Sequence, residues 1–271
     1  MVTFEIRDGA TDERKLLGYL FYYERSRRFF SELLSDLDEW TAPFIFAGAV
    51  KRGIYSIDSE WTMKFVRQRI IPADRQNLGD ILKANKLREY DEYKLLQLSE
   101  GRCAQDELFL VKCTEIDIIP EVQKRLQDKV RDVLPMKDRK MMVFFMNGAS
   151  RIINTGEMIA GDLRFANILR DPELFQNVTV SPGGNGIEWG EERFIPAETL
   201  LHAGEISPLD HQDLLTFAVK RVIDTTETAA LLNCSRQYIG QLSSKGRLKP
   251  FKKGSNNSLF LKSDVEKELN M

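Results

Sequence analysis

Histidine occurs only twice in the 271 residues, at His202 and His211, and cysteine only three times, at Cys103, Cys113 and Cys234. Two imidazoles and three scattered thiols make neither a zinc-ligand spacing nor a histidine-based catalytic pair, so no metal ligand and no catalytic residue is assigned. A low, odd cysteine count fits a reducing compartment, and a cytoplasmic protein is expected. No run approaches the roughly 20 apolar residues of a membrane span, and the opening MVTFEIRDGATDERK has no apolar leader core; no membrane partner is expected. No glycine-rich phosphate loop precedes the lysine and aspartate motifs of phosphoryl transfer, and no cofactor is expected.

The most informative absence is local. Between Cys234 and Lys262 there is no Asp or Glu, while Arg236, Lys245, Arg247, Lys249, Lys252, Lys253 and Lys262 supply seven cations. Residues 222–271 carry eight Lys and Arg against five Asp and Glu, whereas the residues before them carry 31 against 36, so the net charge of −2 conceals a basic tail. Only that tail is electrostatically suited to phosphates.

Its local pattern is equally specific. Asp224 or Thr225 can cap a helix whose inner face is Thr228, Ala229 and Leu232, with Glu227 answering the cap. Asn233 and Cys234 make a turn, Ser235 caps a second helix, and Tyr238, Ile239 and Leu242 repeat at the spacing of one helical face. Arg236, Gln237, Gly240 and Gln241 then point outward, and Arg and Gln are side chains that bond base edges in a major groove. Lys245-Gly246 ends the helix, residues 252–257 form a Gly/Asn-rich hairpin tip between Phe251 and Leu259-Phe260-Leu261, and Ser263 with Glu266 suggests a capping box for a last helix carrying Val265 and Leu269.

The residues TTETAALL (225–232), SRQYI (235–239), KGRLKP (245–250) and the LFLKSDVEKEL ending resemble the winged helix-turn-helix of the excisionase and MerR type. The resemblance implies duplex DNA binding, with the second helix in the major groove and the hairpin as a wing. DNA-binding residues expected on this basis are Arg236, Gln237 and Gln241 for base edges, Ser235, Tyr238 and Arg247 for positioning, and Lys252, Lys253, Asn256 and Asn257 in the wing. Similar helix pairs also serve as purely structural bundles.

Residues 1–135 read as a helical domain. From 11 to 40, Leu16, Leu17, Leu20, Tyr23, Phe29, Phe30, Leu33, Leu34 and Leu37 recur near a period of 3.6. Ser56 is a candidate cap for a helix with Trp61, Phe65 and Ile70, and helices are expected over 78–87, 91–98 and 120–134. Arg67, Arg69 and Arg75 read as a solvated helix face or a phosphate cluster. The aromatic groups Phe21-Tyr22-Tyr23 and Phe29-Phe30 read as core or as a partner groove.

Residues 136–205 read as a small α+β module: a strand over 140–146, an Asn147-Gly148 turn, a returning strand over 151–155, a short helix opened by Asp171-Pro172, a hairpin around SPGGNG (181–186) and a closing helix over 196–202. Asp162, Glu188, Glu191 and Glu192 are carboxylates whose spacing selects no catalytic pair. Leu169, the Asp171-Pro172-Glu173-Leu174-Phe175 box, Val178, Val180, Gly184, Trp189 and 195–200 resemble the domain-of-unknown-function family 2442, which implies protein binding rather than chemistry. The loop Gly190-Glu191-Glu192-Arg193-Phe194 departs from that family's turn.

The expected fold class is therefore multidomain α and α+β: a helical domain (1–135), an α+β module (136–205), a linker helix (206–221) whose apolar residues Leu214, Leu215, Phe217 and Ala218, with Val222 after them, offer a dimer contact, and a winged helix-turn-helix (222–271). The expected function is a sequence-specific DNA-binding transcription regulator, a repressor or autoregulator of a bacterium or mobile element, not an enzyme. Its expected partners are double-stranded DNA, a second copy as homodimer, and a protein held through residues 1–205. The alternative is a protein-binding antagonist, such as an antitoxin or phage counter-defence inhibitor, that represses its own gene through the tail.

Overall fold

A computed structural model of the chain describes residues 1–10, 14–114, 117–190, 192–254 and 257–269, the side chain of Leu269 excepted. They form two compact units, Met1–Ile206 and Ser207–Met271. The first contains, in chain order, β1 (Val2–Asp8), β2 (Leu16–Tyr23), β3 (Arg28–Leu33), α1 (Ala47–Val50), β4 (Ser56–Ile57), α2 (Ser59–Arg67), α3 (Leu78–Ala84), α4 (Glu92–Leu98), β5 (Leu108–Cys113) and α5 (Pro120–Gln127). There follow β6 (Val130–Pro135), β7 (Lys140–Phe145), β8 (Ser150–Asn154), α6 (Thr155–Ile159), α7 (Ala166–Arg170), α8 (Pro172–Gln176), β9 (Thr179–Val180), β10 (Gly186–Glu188), β11 (Phe194–Pro196), α9 (Ala197–Leu201) and β12 (Glu205–Ile206). Their strands make three antiparallel sheets of order β4-β3-β2-β1-β5, β12-β8-β7-β6 and β11-β10-β9.

The expected N-terminal helical domain is overturned. β1, β2 and β3 form a three-stranded antiparallel meander, with Val2 opposite Tyr22 and Gly18 opposite Leu33. The cause lies in burial. Along β2, Leu20 and Tyr22 enter one core with Phe4, Phe29, Phe65 and Leu95, while Tyr19 and Phe21 enter a second with Ile118 and Val122. A strand covered on both faces reads as a continuous apolar run, LLGYLFYY, which contains three- and four-residue spacings without being a helix. The density of Phe and Tyr is the signal that favours strand. The aromatic groups at 21–23 and 29–30 are thus sheet residues, and Phe21, Tyr22, Phe29 and Phe30 are buried. Arg69 is also buried, its guanidinium 2.5 Å from Asp106 and stacked on Phe65, and so is no solvated face.

Two further expectations change for local reasons. The helix expected over 120–134 stops at Gln127, because Val130 and Val133 instead pair with β7 as β6. Ser56 lies in β4 and donates to Glu32 (2.8 Å), and Asp58 caps α2 by accepting from the Trp61 amide (2.9 Å).

The SPGGNG turn joins β9 to β10 as a hairpin. Gly183 (φ +69°) and Gly184 (φ +72°) are required by space as well as by dihedral: a Cβ would overlap the Tyr23 hydroxyl at one and the Val130 carbonyl at the other. The glycines let the turn press against its neighbours.

The face of β3 that carries Phe30 also buries charge on either side of it. Arg28 Nη1 donates to both oxygens of Glu188 at 2.8 and 2.7 Å, and Glu32 receives Lys129 and Arg125 Nε, the latter at 3.0 Å. All but Arg125 are buried residues. Such pairs fasten the first sheet to the elements around β6 and β10, and losing one partner leaves a desolvated charge.

The second unit contains α10 (His211–Arg221), β13 (Val222–Asp224), α11 (Thr225–Leu231), α12 (Arg236–Ser244), β14 (Lys252–Lys253), β15 (Ser258–Leu261) and α13 (Lys262–Leu269), with sheet order β13-β15-β14. Its core is small: Ile223, Ala229, Ile239, Leu242, Leu248, Phe260 and Val265. Among the described residues the chain thus holds thirteen α-helices and four antiparallel sheets. No described helix is long and apolar enough to cross a membrane.

Candidate nucleic-acid interface

The geometry of α11 and α12 follows from their caps. Asp224 Oδ1 accepts from the amides of Thr226 (2.6 Å) and Glu227 (2.8 Å), and Glu227 returns an acceptor to the Asp224 amide (2.9 Å), a complete capping box. Of the two candidate caps, Asp224 is the one used. The turn places Asn233 at φ +48°, a region Asn tolerates better than most residues, and the Cys234 amide donates back to Ala229 (2.9 Å). Ser235 Oγ then accepts from the Tyr238 amide (3.2 Å) and starts α12.

Ile239 and Leu242 anchor the inner face of α12 in the core. Arg236, Gln237, Gly240 and Gln241 are exposed, as the spacing predicts. Tyr238, read as part of the inner face, is itself 43% exposed and stands outside the core. At Gly240 a Cβ would meet nothing within 4 Å, so the outward face is bare backbone at its middle. The helix ends at Gly246 (φ +73°), where Gly246 and Arg247 donate to Ser243 and Leu242 in a double C-cap that only a residue comfortable in the left-handed region closes well.

The hairpin presents the two lysines. Lys252 pairs with Leu259 and Lys253 with Ser258 in the backbone ladder, and both side chains are exposed. Asn256 lies outside the described residues. Asn257 is exposed, and its side chain ties the hairpin to the cap of the first helix. Its Nδ2 donates to Asp224 Oδ2 (3.0 Å) and its Oδ1 accepts from the Thr225 amide (3.1 Å). Thr225 completes the clasp, exchanging hydrogen bonds with the Ser258 backbone at 3.0 and 3.3 Å.

The acid-free surface read from sequence is not acid-free in space. Glu268, from α13, pairs with Arg247, whose side chain stays half exposed. Asp224 lies close enough to Arg236 to feel its charge. The Asp224 carboxyl is held below its usual range chiefly by the Glu227 amide and then by Asn257, with Arg236 a lesser contributor. Neither carboxylate is placed here by any short-range signal, because they arrive from outside the basic stretch. Ser263, expected to precede the last helix, lies inside α13, which already begins at Lys262; Val265 is buried as expected.

Elsewhere the expected carboxylates are engaged separately. Glu188 is bound to Arg28 and Asp162 to Arg164 (2.6 Å); Glu192 is exposed, and Glu191 lies outside the described residues. Among the described residues no group of three or more His, Cys, Asp and Glu is arranged to hold a metal. Burial, aided by Glu5 and Asp117, pushes the Cys113 thiol up to about 11. Comparison with protein-family models, curated proteins and solved structures finds no match to the chain.

Proposed function

We propose that the chain is a sequence-specific DNA-binding transcription regulator, a repressor or autoregulator that seats α12 in the major groove of a duplex. One observation carries the reading: Arg236, Gln237 and Gln241 are held outward around Gly240 by the buried Ile239 and Leu242, in the same compact unit as a hairpin displaying Lys252 and Lys253. Arg and Gln match base edges, and the lysines match phosphates. Ser235, Tyr238 and Arg247 orient the helix, and the hairpin acts as a wing.

A single module of this size reads one half-site, and a second copy extends the contact to two. The surface offered for that is α10, where Leu215, Phe217 and Val219 are exposed. Its head carries Asp210 and Asp213 and its tail Lys220 and Arg221, so an antiparallel pair of copies sets opposite charges together.

The test is fluorescence anisotropy of the full chain on duplexes tiled from the DNA upstream of its own gene, against scrambled duplexes, over a salt series. One tile is expected to bind at least about 10³-fold tighter than scrambled DNA. Replacing Lys252 and Lys253 by Ala weakens all duplexes alike and lowers the log–log salt slope by about one per lysine. Equal affinity for every tile refutes sequence reading, and an absence of binding refutes the whole proposal.

A second reading, a protein-binding antagonist that controls its own gene through the tail, is favoured by Trp40 and Phe44. They are 86% and 94% exposed. Their loop is held in shape by Asp38 Oδ1, which accepts from the Trp40 amide (2.9 Å), the Thr41 amide (2.8 Å) and Thr41 Oγ1 (2.8 Å). Large aromatics displayed on an ordered loop suit an interface anchor. Biological activity retained by a chain ending at Ile206 and lost on W40A/F44A selects this reading over the first.

A further inference from the structure

Within the first unit a groove of about 590 Å³ opens between the segment from Ile45 to Ile57, the head of α2 and the β11–α9 corner. Its walls include Phe30, Trp61 and Phe194, with the rings of Phe30 and Phe194 centred 6.3 Å apart. Small-molecule sites fall in this size range and combine mostly apolar walls with a few placed polar groups.

Lys129 is the polar group that stands out. It lines the groove although its side chain is only 6% exposed, and its ammonium donates to Glu32. An ammonium has three donors. Among the described residues Glu32 is the one acceptor that Lys129 meets, which leaves two donors of a buried cation without a protein partner. The other Glu32 oxygen is already taken by Ser56 (2.8 Å) and Arg125 (3.0 Å), so two cations share this buried carboxylate. Arg52 adds a further exposed cation to the wall. Of the two carboxylates in the wall, Asp58 accepts the Trp61 amide at the head of α2, and Glu198 lies exposed.

We propose that this groove binds a small planar aromatic carboxylate, its ring between Phe30, Trp61 and Phe194 and its carboxylate on Lys129. The aromatic walls take the ring by edge and face contacts, and the carboxylate supplies the acceptors the ammonium lacks. A neutral analogue satisfies Lys129 less well, and a cationic one is repelled. This site is independent of the DNA-binding reading.

Isothermal titration calorimetry of the full chain tests it with three probes of one shape: 1-naphthoate, 1-naphthalenemethanol and 1-naphthylmethylamine. Naphthoate is expected to bind one-to-one, at least about tenfold tighter than the alcohol, the size of one charge-assisted hydrogen bond, and the amine not at all. Thr199, exposed in the wall, gives a blocking variant that leaves the core alone: Thr199→Phe abolishes naphthoate binding with an unchanged melting temperature. Arg52→Gln weakens it, and Lys129→Met, where its melting curve shows a folded protein, removes the preference for acid over alcohol. No binding of naphthoate, or undiminished binding in Thr199→Phe, overturns the site. Equal binding of acid and alcohol overturns the assignment of the carboxylate to Lys129.

Discussion

The two units use the same charged side chains in opposite ways. In the first, Arg28, Glu32, Lys129 and Glu188 are withdrawn from water, Arg28 against Glu188 and Lys129 against Glu32. In the second, the core is seven modest side chains, and Lys245, Lys249, Lys252 and Lys253 are exposed. A buried ion pair specifies packing and is costly to break, whereas exposed cations add almost nothing to stability and remain available to a partner. Buried charge pairs therefore mark where this chain is held together, and Lys129 is the one of them that also borders an open groove.

The sharpest way to break that contrast is Arg28→Ala. Stranding Glu188 is expected to cost about 3 to 5 kcal/mol in denaturant unfolding of the first unit, with no change in duplex affinity. If Arg28→Ala proves as mild as a surface substitution, the contrast fails. Arg236→Ala is the mirror experiment: about 1 to 3 kcal/mol lost in binding to the preferred duplex, with relaxed discrimination at one base position and an unaltered melting temperature.

Smaller effects refine the picture. The folded Asp224 carboxyl titrates below its unfolded value of about 3.9, so its contribution to stability is fully present above that pH and disappears as pH falls through the lower, folded value. Asp224→Asn should flatten the acid limb of stability measured by urea unfolding between about pH 5 and 2. A limb equally steep in the variant would exclude Asp224 as a source. Last, Gly240→Ala should stabilise α12 by about 0.5 to 1 kcal/mol, because the new methyl meets open space. It should at the same time weaken duplex binding if a base edge or phosphate approaches that bare backbone; unchanged binding would move the contact off Gly240.

Legibility in the sequence followed the range of the interactions. Asp224, Ser235 and Gly246 act within three to five residues of themselves, and the helices they begin or end can be drawn from spacing alone. The strand–turn–strand at 140–154 and the SPGGNG hairpin are similarly local. The N-terminal meander is not. Its strands are buried by α2, α4 and α5, far along the chain, and that double burial erased the alternation by which a strand is recognised. Long-range pairing also accounts for what the basic stretch hid, Glu268 on Arg247 and Asn257 drawn in to Asp224, and in the first unit for Lys129 on Glu32 across 97 positions.

The Asn257–Asp224 clasp has a mechanical outcome. Hairpin and helix pair are bolted to a common pivot, so the separation between Lys252-Lys253 and α12 is a property of the folded protein and not of whatever it meets. A jaw preset in this way sacrifices little freedom on closing. It also tolerates little variation in what it closes on, so a duplex, if the proposed function holds, would be sorted by the width of its grooves before a single base is compared.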